Sequence, residues 1–188
     1  MIDHFRYLAP FYDRLMGRPE PGPLLELLKL PVRGRLLDCG GGTGRTALPL
    51  SRLAGQVVVA DTSAHMLARA RAKALPVVVA RSEQLPFGTG CFGRILVVDA
   101  LHHFTSQQAA LADLARVLAP GGRLLIEEFD AARAAVRLIA LAEKAVGMGS
   151  RFLQPREIRD LLQAQGLSVE IRKGRTCSAW IIADKGRA

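Results

Sequence analysis

Four of the five residues from 40 to 44 are glycine, and they directly follow an apolar run that ends in Asp38 and Cys39. Glycine at this density is typical of a backbone that turns sharply and approaches a ligand closely, because no side chain stands in the way. A helical pattern follows at 45–53, and the N–H groups and positive dipole end at a helix start favour an anionic group such as a carboxylate. The pattern therefore predicts a ligand-binding turn, with a glycine turn that binds nothing as the structural alternative.

A second carboxylate, Asp61, ends the next apolar run, Val57-Val58-Val59-Ala60. In a right-handed β-α-β unit the end of this strand lies beside the glycine turn, where a carboxylate can accept both hydroxyls of a ribose. An aspartate in this place can instead cap a helix, and a helix near Ser63 offers that role. The pairing of Asp61 with the glycine turn favours the ribose role.

Two adjacent histidines, His102 and His103, follow the fourth predicted strand, at the sheet edge where ligands of such folds collect. A histidine at this edge can take a proton from a bound hydroxyl or enolic carbon, so both are candidate catalytic residues. Packing in a loop is the structural alternative. No third ligand is apparent near the pair, so no metal site is expected.

The elements that must position these residues follow from hydrophobic patterning. Short apolar runs alternate with helical patterns, which is typical of a mostly parallel sheet covered by helices on both faces. We expect a doubly wound α/β sheet of seven strands, mostly parallel, with a C-terminal antiparallel hairpin around a turn at 173–175. The predicted strands are 35–38, 56–61, 76–80, 94–99, 123–128, 167–172 and 176–183, and the predicted helices are 45–53, 64–74, 106–118 and 155–165.

Length and composition indicate one domain over residues 1–188, because 188 residues with 49% apolar content can bury one core. Within it we expect an N-terminal helical cap at 1–30, and at 131–150 a helical segment that either covers substrate as a lid or packs on the core. The first residues lack an apolar signal core, and no stretch reaches the roughly 18 to 20 apolar residues of a membrane span. These features predict a cytoplasmic protein.

The formal charge of +9 would suit an anionic partner. The basic residues are scattered, however, and aromatic residues make up only 5% of the chain, so no surface for stacking bases is visible. Nucleic acid is therefore not an expected partner. The three cysteines are far apart and form no C-x-x-C pair, which predicts neither a disulfide framework nor a cysteine zinc site.

Several motifs resemble those of class I S-adenosylmethionine-dependent methyltransferases, especially the branch that includes the ubiquinone and menaquinone biosynthesis methyltransferases. Residues 37–44 look like the first motif of that family, V/L-L-D-x-G-x-G-T-G, and residues 61–67 are similar to its D-x-S-x-x-M-L. The resemblance spans nearly the whole chain and implies a Rossmann-like fold, methyl transfer and S-adenosylmethionine as cofactor. Further matching segments are residues 8–14, 85–87 with Phe92, 101–104 and 117–124.

Transferred to matching positions, the resemblance implies a role for individual residues. The glycines line the methionine end of the cofactor, Asp38 organises that loop, and Asp61 holds the ribose hydroxyls. Met66 flanks adenine, Asp99 lies beside the methionine portion, and Tyr12 closes over the cofactor. The cofactor-binding residues predicted in this way are Asp38, Gly40, Gly42, Gly44, Asp61, Thr62, Met66, Ser82, Glu83, Asp99 and Tyr12.

Two positions depart from the family pattern. The family has an acidic residue near the adenine amino group, in G-D-A-E-x-L-P-F, where this chain has Arg81 in A-R-S-E-Q-L-P-F. Adenine recognition then falls to Ser82, Glu83 or backbone. The family's F-D before the fourth strand is here Phe92-Gly93. Both departures leave open a non-catalytic relative that binds cofactor, or nothing, and acts as a partner protein.

The expected methyl acceptor is a small molecule. A nucleic-acid amino-methylating enzyme of this fold shows N/D/S-P-P-Y/F after the fourth strand, whereas this chain has Asp99-Ala100-Leu101-His102. The resemblance at the N-terminus implies a quinone-like or otherwise apolar acceptor, and the basic surface suits a peripheral contact with anionic membranes. The rival outside methyl transfer is a nicotinamide-dependent oxidoreductase, because residues 42–47 match G-x-G-x-x-A, although that register gives Asp38 no role.

Overall fold

The computed structural model describes residues 21–130, 151–174 and 177–187 of the chain. Most of the predicted N-terminal cap, the segment 131–150 and Tyr12 lie outside these residues. None of the helices within the described ranges is both long enough and apolar enough to cross a bilayer. In chain order the elements are α1 (Pro21–Leu27), β1 (Val32–Cys39), α2 (Ala47–Leu50), β2 (Ala54–Asp61), α3 (Ala64–Ala72), β3 (Val77–Val79), β4 (Phe92–Val98), a 3-10 helix (Leu101–His103), α4 (Gln107–Val117), β5 (Leu118–Phe129), α5 (Pro155–Gln163), β6 (Leu167–Lys173) and β7 (Ser178–Lys185).

The strands form one seven-stranded sheet in the order β3-β2-β1-β4-β5-β7-β6. The first five strands along the chain are parallel to one another, while β7 runs antiparallel to both β5 and β6. The predicted fold is therefore confirmed, including the C-terminal antiparallel hairpin. Gly174 N donates to Ser178 O at 3.0 Å and closes that hairpin.

Buried side chains cover both faces of the sheet, because neighbouring residues of a strand point in opposite directions. Leu37 belongs to the apolar cluster on one face, where α4 and α5 pack. Its neighbour Leu36 belongs to the cluster on the other face, where α1, α2 and α3 pack. Helices therefore protect both faces, and this explains why the central strands are apolar along their whole length.

The helix predicted at 45–53 is much shorter in the structure, where α2 covers only Ala47–Leu50. Pro49 lies inside it and has no N–H to donate to the carbonyl of Arg45. At the end of α2 the hydrogen bonds join residues three apart, as in a 3-10 helix. They run from Ser51 N to Leu48 O at 3.2 Å and from Leu53 N to Leu50 O at 2.9 Å. The predicted extent of this helix was wrong.

The strand predicted from residue 123 begins earlier, at Leu118, directly after α4 ends at Val117. Leu118 is opposite Phe92 in β4, and the register then shifts before Arg123 pairs with Arg94. The Pro-Gly-Gly sequence at 120–122 ends the helix as expected, but it lies within an irregular strand and not in a separate loop.

Candidate functional site

A cavity of about 390 Å³ lies at the edge of the sheet where β1, β2 and β4 end. Its volume falls within the roughly 300–1,000 Å³ typical of small-molecule sites. Parallel strands place their carboxyl ends at one edge, so residues far apart in sequence meet here. The predicted residues that line it are Asp38, Gly40, Gly42, Asp61, Thr62, Met66, Ser82, Glu83, Asp99 and His103.

The glycine turn has backbone conformations that other residues rarely adopt. Gly40, Gly42 and Gly44 have φ values of +74°, +52° and +70°. A Cβ on Gly40 would lie 2.6 Å from the Cβ of Ala100, so a side chain there would push the turn away from the end of β4. Gly44 does not line the cavity, and a Cβ there would lie 2.5 Å from Leu75. The absence of a side chain at Gly44 therefore lets the turn pack closely against α3 and the residues that follow it.

Asp61 joins the glycine turn to the end of β2. Its Oδ2 accepts a hydrogen bond from Gly42 N at 2.9 Å, and its Oδ1 accepts one from Ser63 N at 2.8 Å. Ser63 Oγ in turn accepts from Met66 N at the start of α3. Asp61 therefore fixes both the turn that precedes α3, which Ser63 caps, and the glycine turn.

Asp38 is almost completely buried, with 1% of its surface exposed. Within the described part of the chain, its Oδ2 is a buried side-chain oxygen with no hydrogen-bond partner. Burial and the nearby charge of Asp61 raise the pKa of Asp38 to about 7, while Arg45 and the backbone N–H of Ala47 act in the opposite direction. A ligand that brings a cation or an N–H donor to this wall would therefore stabilise the carboxylate.

Arg45 and Asp99 lie on the cavity wall with 3.6 Å between the guanidinium Nη2 and the carboxylate Oδ2. Asp99 has a left-handed backbone with φ of +50°. Burial and the charge of Glu128 raise its pKa, opposed by Arg45 and His102. Sequence reasoning missed Arg45, because a basic residue near a helix start is an ordinary surface feature until its partner is known.

Ser82 and Glu83 form another part of the wall, and Ser82 is buried. Glu83 Oε1 accepts a hydrogen bond from Ser106 N at 2.9 Å, just before α4. Although burial favours the protonated form, this hydrogen bond and the charge of Arg81 lower the pKa of Glu83 overall. Arg81, which replaces the expected acidic residue, lies 3.5 Å from Glu83 and is 64% exposed. Glu83 therefore helps to hold the wall as well as to line it.

The two histidines occupy different environments. His103 lines the cavity, and burial together with the neighbouring His102 lowers its pKa to about 4, so its ring is neutral at ordinary pH. His102 is 3% exposed and is not part of the cavity wall. Its Nδ1 lies 2.7 Å from Glu128 Oε1, and its ring stacks on Phe152 with centroids 4.4 Å apart.

Glu128 at the end of β5 is a further site-related residue that sequence reasoning missed. It is buried and accepts three hydrogen bonds, from His102 N, His102 Nδ1 and Phe129 N. The burial pattern of a strand predicts an apolar residue at such a place, so only the tertiary contact with His102 reveals why a carboxylate stands there. No group of three or more side chains suited to a metal ion occurs in the described ranges.

These features fit an adenosyl amino acid. The unpartnered oxygen of Asp38 and the carboxylate of Asp99 suit a cationic group, while Asp61 suits ribose hydroxyls because a carboxylate only accepts hydrogen bonds. The glycine turn keeps side chains away from the same wall. The donor set and the shape therefore agree with the cofactor that the sequence resemblance implied.

Comparison with known proteins gives matches over the same segment. Residues 37–126 match the family model described as "Methyltransferase domain". A demethylmenaquinone methyltransferase from Mycobacterium tuberculosis is 37% identical over 103 residues, which cover 55% of this chain and 44% of the relative. The ubiquinone/menaquinone biosynthesis C-methyltransferase UbiE from Pseudomonas putida is 40% identical over 117 residues, covering 56% and 46%. The matched segments thus span less than half the length of these relatives.

Solved structures agree with the fold. A SAM-dependent methyltransferase from Thermotoga maritima superimposes with a TM-score of 0.78, at 24% identity, over 96% of this chain and 97% of that one. At this identity the similarity shows the fold alone. It extends beyond the segment matched by the family model and covers the C-terminal hairpin region as well.

Proposed function

We propose that this chain, whose residues 37–126 match the methyltransferase-domain model, transfers a methyl group from S-adenosylmethionine to a small molecule. The family and the structural neighbours indicate S-adenosylmethionine as the cofactor. The observation that carries the proposal is the buried oxygen of Asp38, which has no hydrogen-bond partner among the described residues, in a cavity that Asp61 also lines. This arrangement suits the two ends of a single ligand, a cationic amino-acid portion and a ribose.

We assign the cofactor contacts to residues of the cavity wall. Asp61 accepts the ribose hydroxyls, and Met66 with Thr62 borders the base. Ser82 and Glu83 recognise adenine in place of the missing acidic residue. The methionine portion lies against Gly40 and Gly42, between Asp38 and Asp99. Tyr12, beyond the described residues, is proposed to close over it, whereas Gly44 acts through packing.

When bound, S-adenosylmethionine supplies a methyl group on a sulfonium, already activated for in-line displacement. The main task of the protein is then to hold the acceptor in line, which in favourable model systems lowers a barrier by roughly 7–11 kcal/mol. His103 is the side chain we propose as proton acceptor, because its lowered pKa keeps the ring neutral. A neutral ring also avoids repulsion with a cationic cofactor. His102 supports His103 from behind and does not meet the substrate.

The acceptor that we propose is quinone-like or otherwise apolar. The names of the relatives from Mycobacterium tuberculosis and Pseudomonas putida support this class, as do Ala100 and Phe104 beside His103 on the cavity wall. A net charge of +9 would assist a peripheral contact with an anionic membrane in which such acceptors dissolve. The nicotinamide alternative is not favoured, since the matches are to methyltransferases.

Calorimetric titration with S-adenosylhomocysteine and, separately, NADPH tests the cofactor. We expect binding of the first and not the second, and loss of binding in Asp61→Ala. Asp160→Ala is the control, because Asp160 lies on α5 and is 60% exposed. Binding of NADPH alone would support the oxidoreductase, and binding of neither would support a protein that does not use this cavity for a nucleotide.

Incubation with methyl-labelled cofactor tests the acceptor. Candidate phenols, quinols and polar amines are compared by mass spectrometry, with total RNA as a separate arm. We expect label on an apolar hydroxyl- or enol-bearing ring. Label on RNA alone would contradict the proposal, and label on polar amines alone would remove the apolar acceptor while leaving methyl transfer in place.

A further inference from the structure

The ion pair between Arg45 and Asp99 is loose compared with another arginine pair in the same protein. Arg123 binds Asp184 through two hydrogen bonds of 2.7 Å each, which is the usual fork geometry of a strong pair. Arg45 approaches Asp99 at 3.6 Å, beyond hydrogen-bond distance. Both members of the loose pair face the cavity, whereas neither Arg123 nor Asp184 does.

The charges around this pair are unbalanced. Asp38, Asp61 and Asp99 line the same cavity as Arg45, and Arg81 on its wall is already paired with Glu83. Arg45 opposes the raised pKa of both Asp38 and Asp99, so its charge acts on the two carboxylates together. Asp38 still has an oxygen without a hydrogen-bond partner in the described part of the chain. The wall can therefore accept one more cation.

The backbone holds Asp99 in place beside Arg45. Asp99 has φ of +50°, and its N–H donates to Glu127 O at 3.0 Å. The carboxylate thus extends from a fixed point at the end of β4. The guanidinium of Arg45 lies on the same wall, at the end of a long side chain that is 14% exposed.

From these contacts we propose that Arg45 selects ligands that carry an amino-acid carboxylate, by exchanging its contact with Asp99 for that group. Asp99 and Asp38 then receive the ammonium of the same ligand. One loose ion pair within the protein is thereby replaced by charge-assisted contacts at both charged groups of a zwitterion. This inference rests on the proposed function, because it concerns the amino-acid end of an adenosyl ligand.

Three ligands separate this role from general electrostatics. S-adenosylhomocysteine carries both charged groups, S-adenosyl-3-thiopropylamine keeps the ammonium and lacks the carboxylate, and 5′-methylthioadenosine lacks both. Their affinities are measured by calorimetry for the wild type, Arg45→Met and Arg45→Lys. Arg52→Met is the control, since Arg52 follows α2, is exposed and does not line the cavity.

We expect the wild type to prefer S-adenosylhomocysteine over the amine analogue by about 10- to 100-fold, as for a charge-assisted hydrogen bond. In Arg45→Met the ratio falls to about one, and Arg45→Lys lies between because it keeps the charge and loses the fork. Binding of 5′-methylthioadenosine stays constant, which also shows that each variant is folded. The ratio in Arg52→Met equals that of the wild type.

Three results would overturn the inference. An unchanged ratio in Arg45→Met would mean that Arg45 does not contact the carboxylate. An equal fall in Arg52→Met would reduce the effect to net charge. Failure of the wild type to bind S-adenosylhomocysteine would remove the proposed function itself, and it is distinguished from the other two because they require that binding.

Discussion

The carboxylate of Asp61 accepts the N–H of Gly42 at 2.9 Å, so the end of β2 and the turn after β1 form one rigid unit. The same carboxylate accepts Ser63 N through its other oxygen. Because backbone donors hold both oxygens, the orientation of the group is set before any ligand arrives. Preorganisation of this kind reduces the entropy that binding must overcome.

Asp61→Asn is expected to weaken S-adenosylhomocysteine binding by about 10- to 100-fold and to destabilise the fold by about 1–2 kcal/mol. The amide has one accepting oxygen, so its NH₂ must face either Gly42 N or Ser63 N. Calorimetry and urea unfolding measure the two effects. Ser63→Ala is the control for the helix cap, and it should alter stability with little change in affinity. Wild-type affinity in Asp61→Asn would contradict the ribose role.

Asp38→Asn is expected to change how stability depends on pH. Because the pKa of Asp38 is raised to about 7, the folded protein keeps a proton that the unfolded chain loses above about pH 4. The wild type therefore loses stability as pH rises towards 7, whereas the variant does not titrate. Relative to the variant, we expect the wild type to lose about 2–3 kcal/mol between pH 5 and pH 8 without ligand. Urea unfolding at each pH measures the stability of both proteins. If the two stabilities changed with pH in the same way, Asp38 would be ionised throughout this range.

Gly40→Ala is expected to destabilise the fold by about 2–4 kcal/mol and to weaken ligand binding. The new Cβ meets that of Ala100, and φ of +74° is strained for alanine. Gly22→Ala in α1 is the matched control, because a Cβ there has no atom within 4 Å. It should stabilise the protein by about 0.5–1 kcal/mol. Thermal unfolding distinguishes the loss of stability expected in Gly40→Ala from the gain expected in Gly22→Ala.

His103→Asn is expected to lower kcat with an identified acceptor by about 10²- to 10⁴-fold, with S-adenosylhomocysteine affinity nearly unchanged. Since its pKa is about 4, the wild-type dependence of kcat on this group is flat above about pH 5 and declines below it, where the ring becomes protonated. His65→Asn on α3 is the control outside the cavity wall. A pH profile identical in His103→Asn and the wild type would exclude His103 as the base.

Glu128→Ala is expected to cost about 3–5 kcal/mol in free energy of unfolding, because it removes the acceptor of three hydrogen bonds, two of them buried. Glu128→Gln keeps accepting capacity and should cost less. Glu170→Ala is the comparison, since Glu170 forms an exposed pair with Arg172 that solvent screens, so this change should affect stability much less. Equal effects of Glu128→Ala and Glu170→Ala in urea unfolding would contradict a structural role for the buried pair.

Patterns within single segments predicted the fold well. All seven strands were found from apolar runs, and the edge where they end was found from the rule for parallel sheets. The extent of α2 was wrong, because Pro49 interrupts a pattern that periodicity alone extends to residue 53. The start of β5 was also missed, since its pairing with Phe92 depends on a distant strand.

The site was predicted where chemistry is encoded in neighbouring residues, as in the glycine turn and Asp61. It was incomplete where a role depends on a distant partner. The adjacent histidines looked equivalent in sequence, yet contact with Glu128 directs one inward while the other lines the cavity. The ion pair between Arg45 and Asp99 likewise forms only where the ends of two strands meet, which no local pattern specifies.

The position of β7 between β5 and β6 bears on how the protein folds during translation. Among the described strands only β7 pairs with this edge of β5, so the edge lacks that partner until the residues of β7 have left the ribosome. Exposed edges of apolar strands recruit other chains. A nascent chain stalled in this interval is therefore expected to aggregate more readily than the completed fold.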